Sequence, residues 1–431
     1  MKTVPRIRAR HLVLLALGVT ASACSSKTET PAAPTKADAG RTGDDAAAAC
    51  IDTGEHPAAR DEVMGVVDPK RGKVLFFGGN TGVPKQCNPA PVPNGDLWSY
   101  DMACKSFKKI AFPDGPGIRT RGAAVLDVAG DRMIVFGGRF RAGTSGAYTL
   151  YNETWALDLA TLSWQKLDTT GTPPAGRTSL AAVYRADTNE MLIFGGNSST
   201  NGLAFTPLAD VWALDLKTRA WRQIPTTGTP PAARLFHSAA LDPGKKRLYV
   251  YGGGDANAFT GPFLGDLWSL DLGAGAWNLE ASAGAGAPAA RINASMTFDA
   301  KAGRLVLFGG HDDGVVGNNN DTWAFDPASR KWTAIVPPEK MVKPSPAFCV
   351  FPPDFTTTNL AAPDRRSAHL AAVDTAHDAW IVFGGTTDCG LIDDVWSFDL
   401  GTSGWTRATK ARVGEACLRG DNKAQCSTLC Q

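Results

Sequence analysis

Residues 132–138 read RMIVFGG, and five further stretches repeat that design: KVLFFGG at 73–79, EMLIFGG at 190–196, RLYVYGG at 247–253, RLVLFGG at 304–310 and AWIVFGG at 379–385. A continuous apolar run rich in Val, Ile and Phe suits a strand buried on both faces. The glycine pair ends it where φ must turn positive or a side chain would clash. Other residues recur in step. A Pro-x-x-Arg opens each unit, at Arg60, Arg119, Arg177, Arg234, Arg291 and Arg366. After each glycine pair comes an acidic-x-Trp, at Trp98, Trp155, Trp212, Trp268, Trp323 and Trp396. Nine residues later stands a second aromatic: Phe107, Trp164, Trp221, Trp277, Trp332 or Trp405. A repeat of about 57 residues lies in the range of propeller blades.

Each unit reads as four antiparallel strands. The first is rich in small residues, with Gly65, Ala124, Ala182, Ala239 and Ala371 at one equivalent position and Met296 as the exception. Small side chains belong where strands crowd together near an axis. The spacing from opening Arg to first Gly is 18 in every unit, and Trp to second aromatic is 9. By contrast, Gly to Trp takes 20, 18, 17, 16, 14 and 12 residues, and the links between units take 12, 13, 13, 14 and 34. In an up-and-down blade the 1–2 and 3–4 turns share one rim, and the 2–3 loops and interblade links share the other. One rim is therefore fixed, and the other absorbs the length variation. Variable loops on a rigid scaffold are where binding resides.

The glycine pair, the aspartate three residues after each first Trp and the spaced tryptophans resemble kelch repeats, the blades of the galactose oxidase-type β-propeller. The resemblance covers residues 53–410 and implies an all-β, six-bladed propeller. It also raises a copper enzyme built on two tyrosines, two histidines and a cysteine crosslinked to a tyrosine. With six histidines scattered over the units and six tyrosines in the whole chain, no copper site, other metal site or cofactor is expected. His237 and His369 share one repeat position and read as packing residues. The loop 311–321 is oxygen-rich but lacks a calcium-loop spacing.

The chain carries 44 Lys and Arg against 42 Asp and Glu among 431 residues, without a basic cluster, which argues against a nucleic-acid partner. Residues 1–23 combine a basic start, a short apolar run and Ala21-Ser22-Ala23 before Cys24. That pattern resembles a bacterial lipoprotein signal, which implies lipidation of Cys24 and anchoring at the outer membrane or cell surface. Residues 24–52 are Ala/Pro-rich and read as a disordered tether. The segment 411–431 reads as a Cys-rich tail. Beyond Cys24 there are eight cysteines, an even number suited to disulfides in an exported protein. Strand parity puts Cys349 and Cys389 in adjacent loops of the variable rim, and so predicts a Cys349–Cys389 bond.

Specificity should reside where the blades differ on that rim. Two residues after each opening Arg stand Glu62, Arg121, Ser179, Phe236, Asn293 and Ala368. After the glycine pairs stand Asn80, Arg139, Asn197, Asp255 (beyond a third glycine), His311 and Thr386. Together they predict a ring of polar, charged and aromatic groups around the channel mouth, suited to a protein or glycan ligand. Three functions follow: a non-catalytic, lipid-anchored envelope propeller; an exported sugar-modifying enzyme resembling the kelch-type N-acetylneuraminate epimerases, with Glu62, Arg121 or His311 as acid–base groups; or a structural envelope protein.

Overall fold

The computed structural model describes residues 50, 53–82, 91–312, 317–338, 361–387 and 390–412. Cys24, Cys349 and Cys389 lie outside them. Six units of four antiparallel strands follow one another in chain order, with a two-residue parallel strand, Thr170–Gly171, added at the outer edge of blade 3. Blade 1 comprises Met64–Asp68, Lys73–Phe77, Leu97–Asp101 and Ser106–Ile110, paired in that sequence. The other five begin with Ala123–Asp127, Ala181–Arg185, Ser238–Asp242, Ser295–Asp299 and Leu370–Asp374. Every blade is made of contiguous chain, and each first strand touches the first strands of its two neighbours, blade 6 against blade 1 included. The fold is a closed six-bladed β-propeller.

The glycine-ending runs are the second strands, and their side chains are buried between blades: Ile134, Val135 and Phe136 are all 0% exposed. The second aromatic of each blade explains the closure. It packs against the last aromatic of the glycine-ending run in the preceding blade, as Trp164 on Phe77 (5.2 Å between centroids), Trp221 on Phe136 (5.0 Å) and Trp277 on Phe194 (5.4 Å). Trp332 on Tyr251, Trp405 on Phe308 and Phe107 on Phe383 complete the circle. Offset and tilted aromatic pairs of this kind add about 0.5–1.5 kcal/mol each beyond their buried area.

The opening arginines are internal braces. In five blades the guanidinium makes a two-pronged pair with the aspartate two residues before the first Trp, as Arg291 with Asp321 (2.5 and 2.9 Å) and Arg177 with Asp210 (2.6 and 2.9 Å). It also donates to the carbonyl of the first glycine, and the Trp Nε1 donates to the same carboxylate. In blade 2 Glu153 replaces the aspartate, and Arg119 lies over Tyr151 with a single contact to Glu153 of 3.3 Å. In those five blades the arginine, glycine carbonyl, aspartate and first Trp thus form one hydrogen-bonded unit.

The fixed rim repeats one piece of chemistry. In the 3–4 turn of blade 2, Asp158 accepts from the N–H groups of Ala160 and Thr161 (2.9 and 2.8 Å), and Asp215, Asp271 and Asp326 do the same in their blades. Such aspartate turns need no variation in length. A disulfide joins Cys50 to Cys104, which sits in the 3–4 turn of blade 1.

Candidate functional site

The chain enters each first strand through a residue in left-handed conformation, namely Glu62, Arg121, Ser179, Phe236, Asn293 and Ala368, with φ between 52° and 58°. None is glycine, and for such residues this conformation is costly. It is held because the six form a closed hydrogen-bonded ring. Arg121 N–H donates to Glu62 O (3.1 Å), Ser179 to Arg121 (2.8 Å), Phe236 to Ser179 (3.1 Å), Asn293 to Phe236 (2.8 Å), Ala368 to Asn293 and Glu62 to Ala368 (both 3.0 Å). The ring engages these backbone groups with one another and leaves the side chains at the channel mouth.

These six residues, and the six that follow them in sequence, line a cavity of about 170 Å3 at the channel mouth on the variable rim. His237 and His369 belong to its wall. Both are buried, each lies edge-on to the phenylalanine of the preceding blade (5.1 Å from Phe194 and Phe308), and burial pushes each imidazole down to about 3. They are neutral packing residues at neutral pH.

The mouth is chemically lopsided. On the side of blades 1 and 2, Glu62 pairs with Arg121. Burial pushes the Glu62 carboxyl up, but the guanidiniums of Arg121 and Arg139 outweigh it and hold the group below its ordinary range. Asp61, next in the chain, is raised to about 7 by burial and by the charge of Glu62. Its carboxylate accepts from Asn80 Nδ2 (2.9 Å) and from Thr386 Oγ1 of blade 6 (2.5 Å). On the opposite side Phe205, Phe236 and Phe259 form an aromatic cluster, with centroids 4.9–6.0 Å apart and Phe259 51% exposed.

The structure separates the sequence-predicted residues. Glu62, Arg121, Phe236 and Asn293 line the central cavity. Asn80 and Arg139 line a smaller adjoining cleft that shares Glu62 as a wall. Asn197, Asp255 and His311 line neither. Asn197 is buried and accepts from Ser199 and Thr206 N–H, so it organises its own loop; Asn80 does likewise with Gly82 and Val92. In blade 4 the third glycine, Gly254, takes the position that bridges to the opening segment at Leu235, and Asp255 falls one residue beyond it. Asp255 instead caps Asn257 (2.7 Å). His311 pairs with Ile292 and lies 3.3 Å from Asn318 Oδ1. In the oxygen-rich loop, Asp312 accepts from Gly317 and Asn319 while Asp321 is held by Arg291. Sequence reasoning missed Tyr148 and Arg141. The signal that points to them is the Arg139-x-Arg141 spacing, with Tyr148 seven residues on in the same loop.

Comparison with known proteins agrees with this architecture. The family model described as the KLHDC2/KLHL20/DRC7 Kelch-repeats domain matches residues 46–241 and 186–351. Among curated proteins the chain is similar to Acyl-CoA-binding domain-containing protein 5 of Arabidopsis thaliana, 28% identical over 57% of this chain and 34% of that protein. It is also similar to Kelch domain-containing protein 3 of Bos taurus, 32% identical over 49% of this chain and 52% of that protein. The chain spans about a third of the length of the Arabidopsis relative. A solved structure, that of YjhT, superposes with a TM-score of 0.58 at 15% identity, covering 82% of this chain and 98% of YjhT.

Proposed function

The chain belongs to the kelch-repeat family, and from that premise we propose that it is a non-catalytic, exported binding propeller, lipid-anchored at Cys24, whose ligand is a protein or glycan taken at the mouth of the variable rim. One observation carries the reading: six structurally equivalent ring positions present six different side chains to one cavity. A position needed only for closure would be uniform, as the opening arginines are. The cavity's size narrows the ligand. At about 170 Å3 it holds one six-membered ring or one side chain, well short of a drug-sized molecule. The ligand is therefore a larger surface that inserts one group, with Arg121 and Glu62 for its polar part and the phenylalanine cluster for its apolar part. The Cys50–Cys104 disulfide supports an oxidising, extracytoplasmic location.

A second reading, acid–base chemistry on a sugar, is favoured by the placement of Glu62 beside Arg121 on the cavity wall. Among the described lining residues Glu62 is the single carboxylate, and it is held ionised. It could serve as a base, but no second carboxyl lines the cavity, Asp61 being turned to Asn80 and Thr386, and the two histidines stay neutral, so binding is the better account. Glycan and peptide arrays probed with the full-length protein, together with a screen for sugar anomer exchange, separate the two. Binding lost in Arg121→Ala and Asn293→Ala without any turnover supports the binding propeller. Turnover abolished by Glu62→Gln replaces it with the enzyme. Retention of every array signal in both cavity variants refutes ligand capture at this mouth.

A further inference from the structure

We propose that Arg139, Arg141 and Tyr148 form an oxyanion site beside the channel mouth, which takes a carboxylate, sulfate or phosphate group of the ligand. The inference rests on the mouth being the binding face and names the chemistry it selects. Arg139–Phe140 pairs with Thr149–Leu150 within the 2–3 loop of blade 2, and Arg141 follows directly after that strand. Both guanidiniums lie over the same ring: their Cζ atoms are 4.4 and 4.2 Å from the Tyr148 centroid. The tyrosine face draws the two cations together without neutralising either.

Neither guanidinium has a direct counter-charge, and Glu62 acts on Arg139 only from a distance. Among the described residues neither has a carboxylate within 4.0 Å, and the Nε atoms of both are buried with no hydrogen-bond partner. Glu62 reaches the same cleft, but its charge is met by Arg121. Glu62, Arg121, Arg139 and Arg141 sum to +2, and Asp61, raised to about 7, lowers that excess by at most one charge. Burial first, then Arg121, outweigh the support of Glu62 and Tyr148 and disfavour the charge on Arg139, a penalty that an incoming anion relieves. The opening arginines of blades 1, 3, 4, 5 and 6, by contrast, each meet an aspartate.

The site is also held in shape. Tyr148 N–H donates to Thr200 O (2.8 Å), which ties the blade 2 loop to the 2–3 loop of blade 3, where Gly202 lies against Tyr148 and Arg141. The cleft, walled by Pro91, Pro93 and Phe140, measures about 30 Å3. That admits the oxygens of one anionic group and excludes a whole ring, so the anion is an appendage of something seated in the larger cavity. Planar guanidiniums match the paired oxygens of such groups.

Equilibrium dialysis with labelled sulfate, inorganic phosphate and acetate at constant ionic strength tests the site on the full-length protein, independently of any natural ligand. Saturable binding of one anion per chain is expected. Arg139→Gln and Arg141→Gln should each weaken it at least tenfold, and Tyr148→Leu should weaken it while Tyr148→Phe retains it. Lys331→Gln, an exposed cation in blade 5, should leave it unchanged. Preference for acetate assigns a carboxylate and preference for sulfate or phosphate assigns an ester; either supports the site. Thermal unfolding confirms that each variant folds. Non-saturable binding, or equal loss in the Lys331 variant, overturns the proposal. Failure of the arrays with a positive dialysis result sinks the mouth-ligand reading alone.

Discussion

Arg121 and Phe236 belong to blades 2 and 4, yet the Arg121 guanidinium carbon lies 4.5 Å from the Phe236 ring centroid. The contact spans the channel mouth. It exists because ring closure sets both residues at the same height, each in left-handed conformation, facing a common axis. Arg121 therefore links the charged half of the mouth to the aromatic half, through Glu62 on one side and Phe236 on the other.

Substitutions at the mouth should divide by burial. Asn293→Ala and Ser179→Ala should weaken ligand binding with stability changed by no more than about 0.5 kcal/mol. Phe236 is only 5% exposed and packs with Leu235, Ala258, Phe263 and Ile292, so Phe236→Ala should lose binding and also about 3 kcal/mol of stability. Thr161→Ala and Thr218→Ala on the fixed rim should leave affinity alone. Binding isotherms beside urea unfolding measure both quantities; affinity that responds only to the fixed-rim changes contradicts the assignment of faces.

The internal braces should matter far more than surface ion pairs. Arg291 and Asp321 are each 1% exposed, and Asp321→Asn leaves a buried guanidinium without its counter-charge, at about 3–5 kcal/mol. Asp187, 39% exposed and paired with Arg185, is the comparison, and Asp187→Asn should change stability by less than about 1 kcal/mol. Chemical denaturation of the two variants gives the ratio directly.

Acid sensitivity should come from the cavity wall. His237 and His369 stay neutral in the fold down to about pH 3 but titrate near 6.5 when unfolded, so each withdraws about 1.4 kcal/mol per pH unit as pH falls below 6.5. Asp61 acts in the opposite direction. Raised to about 7 in the fold, it adds stability as pH falls from 7 towards 4. Two histidines against one aspartate leave a net loss between pH 6.5 and 4.5. Replacing both histidines with glutamine should reverse the sign of the slope, and urea midpoints across that window would show whether it does.

The seam between first and last blades should be the least tolerant of added volume. A Cβ on Gly65 would lie 2.6 Å from Leu75 O and 2.9 Å from Leu370 Cδ2 of blade 6. Gly65→Ala should destabilise by about 1–3 kcal/mol, although four other blades carry alanine at this position. A midpoint equal to wild type would show that the seam can widen.

The Cys50–Cys104 bond closes 54 residues of chain and should contribute about 4 kcal/mol by constraining the unfolded state. Peptide mapping without reduction should recover that pair, and Cys104→Ser should lower the unfolding midpoint even under oxidising conditions.

The sequence alone determined the propeller, its six blades and which rim varies, because these are written in local, repeated chemistry. A glycine pair, an acidic-x-Trp and an aromatic nine residues on each act within one blade or on the next. Equal spacing from the opening arginine also forces equal positions in space, and Glu62, Arg121, Phe236 and Asn293 line one cavity. The sequence could not say that Asn80 and Asn197 turn inward to hold their own loops, nor that a third glycine moves Asp255 out of register. Those depend on how loops of unequal length settle. Only the tertiary structure brought Arg139, Arg141 and Tyr148 together, or set Asp61 against Thr386. Their energies arise from burial and from charges far apart in the chain, and burial has no signature in a loop until the blades around it are closed.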